Sequence, residues 1–301
     1  MLSYQHSFHA GNHADVLKHL TLTLILLSLK KKEKPFTLFD THGGAGIYQL
    51  DDSRLQHTGE AEKGIIKLIE STKSQDNFPQ TLKPYLELCE LYSKHGLYPG
   101  SPEIERCLMR KIDKLFVAEL HPTEIQVLKG NMESLPLLNI DNKPKVTVLH
   151  TNGFDMLKSY LPPIIRRGMI IIDPSYETDS DYTEVPKTVT KVLEKWNTAI
   201  IAIWYPLLKH RTKEIIMLKN KLLSTAQGKN LTNFRPPVIA ELQIYSETQI
   251  DEEKIPRLYG SGMIIINPPY QLDNKLAESL PYLAKVLGKN QESFFIRGEH
   301  F

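Results

Sequence analysis

The chain has 301 residues, of which 41% are hydrophobic and 24% are charged. These values are ordinary for a soluble globular protein, and the length suits two domains or one α/β domain with an insertion. The net charge of +2 is too small to indicate a nucleic-acid-binding protein by itself, so any basic binding surface must be local. The two cysteines form neither a disulfide framework nor a Cys-x-x-Cys metal motif, which favours a reducing cytoplasm.

The first predicted element is an amphipathic helix that begins after Asn12. Asn12 is a typical N-cap residue, and apolar residues recur at helical spacing from Val16 to Leu27. The apolar run at 20–29 is too short to cross a bilayer, which needs about 20 apolar residues. The N-terminus lacks the charged and apolar regions of a secretory signal peptide. Pro35 ends the helix after a run of lysines.

Five predicted buried strands follow, with helical patterns between them. They cover 36–40, 114–119, 145–150, 168–173 and 198–204. Apolar strands that alternate with helices predict a parallel sheet that is covered on both faces. The next two strands, at 238–246 and 262–267, are joined by a polar segment with no helical pattern. They are predicted to be antiparallel, because parallel strands need a long crossover.

The interval between the first two strands is too long for a single crossover. It covers nearly 70 residues after the glycine turn, whereas a simple unit needs about 20 to 30. Helical patterns at 60–70 and 82–94 fill it. We therefore predict a catalytic domain formed by 1–49 and 99–301, with a helical insertion subdomain at 50–98.

Three short clusters of basic residues stand out along the chain. They are Lys30, Lys31, Lys32 and Lys34; Arg166 and Arg167; and Lys209, His210, Arg211 and Lys213. Each cluster taken alone is more typical of a solvated surface than of a binding site.

Small or acidic residues end three successive strands. The first strand leads into DTHGGAG at 40–46, whose glycines allow a tight turn close to a ligand. Glu119 ends the next strand, where an acidic residue can accept hydrogen bonds from ribose hydroxyls, and Asn152-Gly153 follows the third. Ligands of open α/β sheets bind at these carboxyl ends. Each feature alone also suits a plain loop or a solvated strand end, but together they predict a site for an adenosine-containing cofactor.

The sequence DPSY at 173–176 follows the fourth strand. The exocyclic amine of adenine is a poor nucleophile, because its lone pair is delocalised into the ring. The carboxylate of Asp173 and the carbonyl of Pro174 can accept hydrogen bonds from its two N–H groups while a methyl group arrives. Tyr176 can stack on a base that has left its helix. The alternative is a proline-containing turn with a buried tyrosine.

A second copy of this motif, NPPY, occurs at 267–270. The segments 168–176 and 262–270 are identical at seven of nine positions, and the second has the usual second proline where the first has Ser175. If its strand is antiparallel, Asn267 leaves the sheet at the edge opposite the cofactor, about 17–20 Å away. We therefore predict that Asp173 carries the chemistry and that 267–270 is a structural turn.

The glycine turn, Glu119 and DPSY together resemble S-adenosylmethionine-dependent methyltransferases that act on amino groups. With LSYQHSFHAGNHADVLKH at 2–19, YPGSP, ELHP and NGF, the chain resembles the RlmJ family from residue 2 to the NPPY turn. The resemblance implies a bacterial enzyme that methylates N6 of adenine 2030 in 23S rRNA, with S-adenosylmethionine as cofactor. It also implies a Rossmann-like class I fold, with a seven-stranded, mostly parallel sheet and an antiparallel last strand.

The resemblance assigns roles to single residues. Asp173 would be the catalytic residue, within the motif that includes Pro174 and Tyr176. The RNA would contact Tyr4, in the N-terminal motif at 1–19, and Tyr176. The cofactor would be bound by Lys18, His19, His42, Gly44, Gly46, Ser101, Glu119, Asn152, Gly153 and Asp173. Asn152 stands where the family usually has aspartate.

Several of these residues also have simpler interpretations. The histidines near the N-terminus are His6, His9, His13 and His19. They are expected at helix ends or on the surface rather than around a metal, because no cluster of acidic ligands accompanies them. Ser101 before Pro102 is typical of a helix N-cap with proline at N1.

Two other functions stay open on the residues alone. A DNA adenine-N6 methyltransferase uses the same chemistry, and the motifs do not distinguish RNA from DNA. A non-catalytic RNA-binding or ribosome-assembly protein would keep the fold without the reaction. We expect 23S rRNA as partner, naked or in an assembly intermediate, and neither a metal nor a membrane. We expect a monomer.

Overall fold

Helices and strands alternate through the residues that the computed structural model describes, which are 8–73, 78–228, 235–245, 258–288 and 294–298. The strands are β1 (Thr37–Asp40), β2 (Ile47–Gln49), β3 (Leu97–Pro99), β4 (Lys114–Glu119), β5 (Lys145–His150), β6 (Gly168–Ile172), β7 (Ile200–Leu208), β8 (Val238–Gln243), β9 (Leu258–Ile266) and β10 (Phe294–Arg297). The α-helices are α1 (His13–Lys30), α2 (Ser53–Thr58), α3 (Lys67–Lys73), α4 (Lys83–Ser93), α5 (Ser101–Leu108), α6 (Glu124–Glu133), α7 (Gly153–Tyr160), α8 (Asp181–Lys195), α9 (Thr212–Gly228) and α10 (Leu272–Leu287). A π-helical turn (Glu62–Ile66) precedes α3, and 3-10 turns occur at Gln80–Leu82, Ile140–Asn142 and Lys209–Arg211.

Eight strands form one sheet in the order β10-β8-β9-β7-β6-β1-β4-β5. The strands β1, β4, β5, β6 and β7 run parallel, and β9 lies antiparallel between β7 and β8. Strand order reverses between β1 and β6, which is where open α/β sheets bind ligands. The carboxyl ends of these strands bring Asp40, Glu119 and Asp173 to the same edge of the sheet.

The predicted parallel core and antiparallel pair are confirmed, but the main sheet has eight strands rather than seven. The additional strand, β10, lies at the edge beside β8. Its four residues alternate between partly buried and exposed, so it lacks the continuous apolar run that marks the inner strands. β2 and β3 form a separate antiparallel pair of three residues each. The polar segment at 246–257, between β8 and β9, lies outside the described residues.

Helix α1 is buried along almost its whole length. Its predicted N-cap is confirmed, since the side-chain oxygen of Asn12 accepts hydrogen bonds from the N–H groups of Ala14 and Asp15. The helix packs against β9 and α5, which places its first turns beside the edge that ends in Asp173. Within the described ranges, no helix is both long and apolar enough to cross a membrane.

The side chains of the sheet alternate between two hydrophobic cores. In β6, Met169 and Ile171 belong to the core that contains α1, whereas Ile170 and Ile172 belong to the core with α8 and α9. The interval 50–98 contributes to the first core. This segment packs on α1 and α10, two helices that themselves contact the sheet, and its status as a subdomain stays a prediction.

Candidate active site

A cavity of about 710 Å³ opens at the carboxyl ends of the parallel strands. This volume is within the range of about 300–1,000 Å³ that is typical of small-molecule sites. The predicted site residues in its wall are Lys18, His19, His42, Gly44, Ser101, Glu119, Asn152, Gly153, Asp173, Pro174 and Tyr176. Gly46 lies outside the set that lines the cavity. Tyr4 falls outside the described residues.

The glycine turn brings the backbone close to the end of β4. A β-carbon at Gly43 would lie 2.3 Å from a methyl group of Val117, so a larger residue would displace that side chain. Gly44 has a φ of 56°, in the left-handed region that favours glycine. Gly46 accepts a hydrogen bond from the N–H of Gly100, which ties the turn to the start of α5. Gly46 thus helps to shape the turn, and its predicted contact with the cofactor stays a prediction.

Glu119 is held at the cavity wall by backbone donors. The N–H of Gly44 donates to its Oε2 at 2.8 Å, and the N–H of His121 donates to its Oε1 at 2.6 Å. A carboxylate has about four lone-pair positions, so each oxygen retains the capacity to accept a ribose hydroxyl. The geometry therefore suits the predicted role of Glu119 in cofactor binding.

Asn152 and Gly153 form the turn between β5 and α7. The side-chain oxygen of Asn152 accepts the N–H of Phe154 at 2.8 Å and so caps the helix. This leaves the amide nitrogen as the donor that Asn152 can offer to the cavity. A β-carbon at Gly153 would lie 2.1 Å from the carbonyl oxygen of Thr41, so glycine allows the two turns to touch.

A buried lysine connects α1 to the DPSY motif. The Nζ atom of Lys18 lies 2.5 Å from Oδ2 of Asp173 and 2.9 Å from Oδ1 of Asp15. Burial alone would lower the pKa of Lys18, but the charges of Asp15 and Asp173 raise it well above its ordinary value. Lys18 is therefore a cation at neutral pH. Its charge favours the ionised form of Asp173, whose side chain is 16% exposed.

Asp15 also lines the cavity, although it is not among the site residues predicted from the sequence. It is 1% exposed and accepts the N–H of Gly11 at 2.9 Å through Oδ2. It therefore orders both the chain before α1 and the ammonium group of Lys18. The available signal was the spacing, because Asp15 and Lys18 lie three residues apart and so share one face of the helix.

Asp40 lies behind the cavity wall and orders two predicted cofactor-binding residues. Its carboxylate accepts the hydroxyl of Ser101 at 2.7 Å and the backbone N–H of His42 at 3.0 Å. Burial raises the pKa of Asp40 to about 6, although both hydrogen bonds oppose this rise. Burial also lowers the pKa of His42 to about 3, so its ring is neutral at neutral pH. The pattern DTHGGAG contained Asp40, but only the structure reveals its contacts.

Two local predictions are wrong. Gly100, not Ser101, is the N-cap of α5. The hydroxyl of Ser101 donates a hydrogen bond to Asp40 and does not cap the N–H groups of the helix. His19 is neither at a helix end nor on the surface, since it is 1% exposed and its Nδ1 lies 2.7 Å from the hydroxyl of Tyr98. The tyrosine supplies the polar partner that lets the imidazole be buried. Across the described residues, no group of three or more His, Cys, Asp or Glu is placed to hold a metal ion.

Tyr176 contributes to the cavity wall from a largely buried position. It is 3% exposed, and its hydroxyl donates to the carbonyl oxygen of Trp204 at 3.0 Å. Its ring centre lies 4.9 Å from that of Tyr182 and 6.0 Å from that of Trp204. Trp204 also lines the cavity, so the wall beside Asp173 is aromatic. Stacking of Tyr176 on a substrate base stays a prediction.

The second motif lies at the other edge of the sheet. The Nδ2 atom of Asn267 donates to the carbonyl oxygens of Asn197 at 2.9 Å and Ala199 at 2.8 Å, next to the start of β7. β9 is antiparallel to β7, as predicted, and this orientation carries Asn267 away from Asp173. The position suits a structural turn, and the absence of a catalytic role for Asn267 stays a prediction.

Comparisons with known proteins agree with this geometry. A sequence model of the family described as ribosomal RNA large subunit methyltransferase D, RlmJ, matches residues 33–297. The chain is 38% identical over 286 residues to ribosomal RNA large subunit methyltransferase J of Escherichia coli (strain K12), covering 94% of this chain and 93% of that protein. It is 39% identical over 292 residues to the protein of the same name from Haemophilus influenzae, covering 95% and 94%.

A solved structure extends the comparison to the fold. The crystal structure of a Legionella pneumophila protein matches with a TM-score of 0.80 at 32% identity, covering 97% of this chain and 98% of that one. The family model and the two relatives each cover most of the chain. The chain therefore belongs to the RlmJ family of ribosomal RNA large subunit methyltransferases, S-adenosylmethionine-dependent enzymes with the class I fold.

Proposed function

We propose that the protein transfers a methyl group from S-adenosylmethionine to N6 of one adenine in 23S rRNA, at the position of adenine 2030. The observation that carries this proposal is the carboxylate of Asp173, ion-paired to Lys18 at a cavity wall that also contains Pro174. The named relatives act on large-subunit ribosomal RNA, which supports the substrate class. Bacterial ribosomal RNA is made in the cytoplasm, so we propose that the protein acts there. We also propose that it acts as a monomer.

Two hydrogen-bond acceptors of the chain orient the N6 amine of the adenine for methyl transfer. Asp173 and the carbonyl of Pro174 accept hydrogen bonds from the two N–H groups, which makes the nitrogen more pyramidal and its lone pair more available. Lys18 keeps Asp173 ionised, so this carboxylate accepts hydrogen bonds and does not donate one. When bound, the cofactor supplies an electrophilic methyl group. The reaction replaces one N–H of the amine by N–CH₃ and releases one proton.

The proposed cofactor contacts follow the strand ends. Glu119 accepts the ribose hydroxyls, because its carboxylate is already fixed by two backbone donors. Asn152 and Gly153 contact the adenine of the cofactor at the start of α7. The remaining proposed contacts come from Lys18, His19, His42, Gly44, Ser101 and Asp173. The size of the cavity and the tight turns at its rim support this fit.

The adenine must leave its helix to reach Asp173, because the carboxylate lies in the wall of a cavity. We propose that Tyr176 and Trp204 contact the flipped base and that Tyr4 contacts the RNA. His210 and Arg211 of the third basic cluster line the same cavity, where they can face the neighbouring phosphates. Arg211 is also paired with Asp179 at 2.5 Å, which holds the loop after the DPSY motif beside it.

We propose that the insertion at 50–98 positions the N-terminal segment of the catalytic domain (1–49 and 99–301). Glu60 accepts hydrogen bonds from Nδ1 of His9 and Nδ2 of Asn12, each at 2.9 Å. The N–H of Ile65 donates to the carbonyl of Gly11 at 2.8 Å. These contacts fasten the chain just before α1, the helix that carries Lys18 into the site.

The alternatives are a DNA adenine-N6 methyltransferase and a non-catalytic RNA-binding protein. Purified protein and labelled S-adenosylmethionine should be offered protein-free 23S rRNA and, separately, a DNA duplex of the same sequence. The proposal predicts N6-methyladenosine in the RNA and none in the DNA. Methylation of the DNA alone would overturn the substrate class. Cofactor binding by calorimetry with no transfer to either nucleic acid would favour the non-catalytic alternative.

A further inference from the structure

Two of the basic clusters in the sequence meet at the sheet edge opposite the cavity. The register pairs Thr37 of β1 with Lys114 of β4 and with Gly168 of β6, and it pairs Lys114 with Lys145 of β5. The segments that precede these four strands therefore lie side by side. They bring the lysines after α1 next to the arginines before β6.

We call this surface the basic edge. Its cationic residues are Lys30, Lys31, Lys32, Lys34, Arg110, Lys111, Lys114, Lys143, Lys145, Arg166 and Arg167. The acidic residues in the same segments (30–36, 109–114, 141–145 and 164–168) are Glu33, Asp113 and Asp141. Eleven positive and three negative charges give this edge a formal charge of +8, whereas the whole chain carries +2. The rest of the protein therefore carries a formal charge of −6, so the excess positive charge of the chain is concentrated on the basic edge.

The centre of the basic edge is ordered by two arginines. Arg110 and Arg167 each lie 5.7 Å from the ring centre of Phe36. Both donate to the carbonyl oxygen of Lys34, at 3.1 Å and 2.6 Å. Asp113 pairs with Arg110 at 3.0 Å and so neutralises part of this charge. The segment that carries the lysines at 30–34 is therefore held in place by the packed side chains of Arg110, Arg167 and Phe36.

The positive charges on this edge repel one another. Burial lowers the pKa of Arg167 and of Lys30, and the nearby charge of Arg110 lowers both further. The side chains of Lys31, Lys32 and Lys34 are exposed. A cluster of like charges with few acidic neighbours attracts a polyanion, since an anion relieves the repulsion.

We propose that the basic edge is a second docking surface for the RNA substrate, which contacts phosphates far from the reacting adenine. This inference rests on the proposed function. Neighbouring strands lie about 4.8 Å apart, so the four strand starts span about 14 Å, a length that faces several phosphates. The five residues of β6 separate Gly168 from Asp173 by about 16 Å. An RNA must therefore extend around the protein to occupy the cavity and the basic edge together.

A short and a long RNA distinguish the two surfaces. The test variant combines Lys32→Glu, Lys114→Glu and Lys145→Glu, which reverse exposed charges on the basic edge. The control combines Lys83→Glu, Lys187→Glu and Lys221→Glu, which make the same change in net charge on three separate helices. Both proteins are compared with wild type on a short stem–loop that contains the target adenine and on protein-free 23S rRNA, with thermal melting in parallel.

The test variant should raise KM for 23S rRNA by about 10-fold or more and lower the slope of log affinity against log salt by about 2–3. Its kcat, its parameters on the stem–loop and those of the control should match wild type. Equal losses in test and control variants, or equal losses on both RNAs, would overturn the inference. If wild type methylates neither RNA, the proposed function itself fails.

A lipid surface is the competing partner. Ile112 and Ile164 are exposed within the same segments, and a mixture of basic and apolar side chains also suits anionic lipid. Vesicles of phosphatidylserine in phosphatidylcholine are therefore included as a second ligand. Binding to vesicles that the test variant loses, with unchanged KM for 23S rRNA, would overturn the RNA inference in favour of a membrane surface.

Discussion

The proposed chemistry depends on two residues that lie far apart in the sequence, Asp173 and Lys18. The position of Asp173 at the cavity could be predicted from DPSY, because the motif follows a buried strand of the parallel sheet, and its role as an amine acceptor stays a prediction. Its ion pair with Lys18 could not be predicted, because the two residues lie 155 positions apart and meet only through the packing of α1 on the sheet. The hydrogen bond from the Ser101 hydroxyl to Asp40 could not be predicted either, because the sequence indicated only a capping role for Ser101.

Asp173→Asn should lower kcat by about 100-fold or more while the protein stays folded, because a neutral amide is a weaker acceptor for the N6 hydrogens. Single-turnover methylation of 23S rRNA measures this effect at matched folded concentration. Asn267→Gly is the matched control in the second motif, since glycine tolerates its φ of 53°. Equal losses in the two variants would show that the roles of the motifs are wrongly assigned.

Lys18→Met should move the acidic limb of the kcat–pH profile upward, since Asp173 and Asp15 would then repel each other without a cation between them. Activity at neutral pH should fall and recover in part at higher pH. Lys18→Arg keeps the charge and should leave the limb near its original position. A uniform loss at all pH values in both variants would mean that Lys18 acts only through packing.

Asp40 predicts a specific dependence of stability on pH. Its pKa of about 6 in the folded protein lies above the ordinary value of 3.8, so the stability it contributes is full below about pH 4 and is lost as pH rises through 6. Asp40→Asn does not titrate. Its unfolding free energy relative to wild type should therefore be higher at pH 7 than at pH 5, by about 1 kcal/mol.

Urea unfolding of both proteins at the two pH values tests this expectation. Asp141→Asn, which changes an exposed carboxylate, is the control and should show no such difference. An Asp40→Asn effect that is the same at both pH values would contradict the raised pKa.

Long apolar elements were predictable, whereas short and distant pairings were not. The strands at 114–119 and 145–150 match β4 and β5, but the prediction that 145–150 is buried is wrong, because β5 lies at the edge of the sheet and its residues are partly buried or exposed. β2 and β3 have three residues each, too few to show a periodicity, and their pairing spans the whole interval 50–98. The helical patterns at 60–70 and 82–94 did predict the helices there, but not their contacts with the N-terminal segment.

Glu60→Ala should lower the methylation rate with little change in the melting temperature. Its bonds to His9 and Asn12 are partly exposed, so their loss costs little stability, but they fix the start of α1. Glu70→Ala, an exposed residue of the same insertion, is the control. Single-turnover rates and melting curves are measured together. Wild-type rates in Glu60→Ala would remove the positioning role from the insertion.

At the scale of the whole molecule, the net charge conceals the distribution of charge. A value of +2 predicted that RNA binding must rest on local clusters, and the fold unites two of these clusters on one edge. The sequence could not show this, because adjacency depends on strand order. Binding of naked RNA should be weak, without a steep sequence preference, and should weaken as salt rises. A salt-independent affinity, measured by filter binding, would contradict this expectation.

The measurement that tests the central claim most directly is mass spectrometry of 23S rRNA from a strain that lacks this protein. The RNA is analysed after complementation with wild type and with Asp173→Asn. We predict that one adenine, at the position of adenine 2030, lacks its N6-methyl group in the deletion strain. The methyl group should return with wild type and stay absent with Asp173→Asn. An unchanged methylation pattern in the deletion strain, or full restoration by Asp173→Asn, would contradict the account.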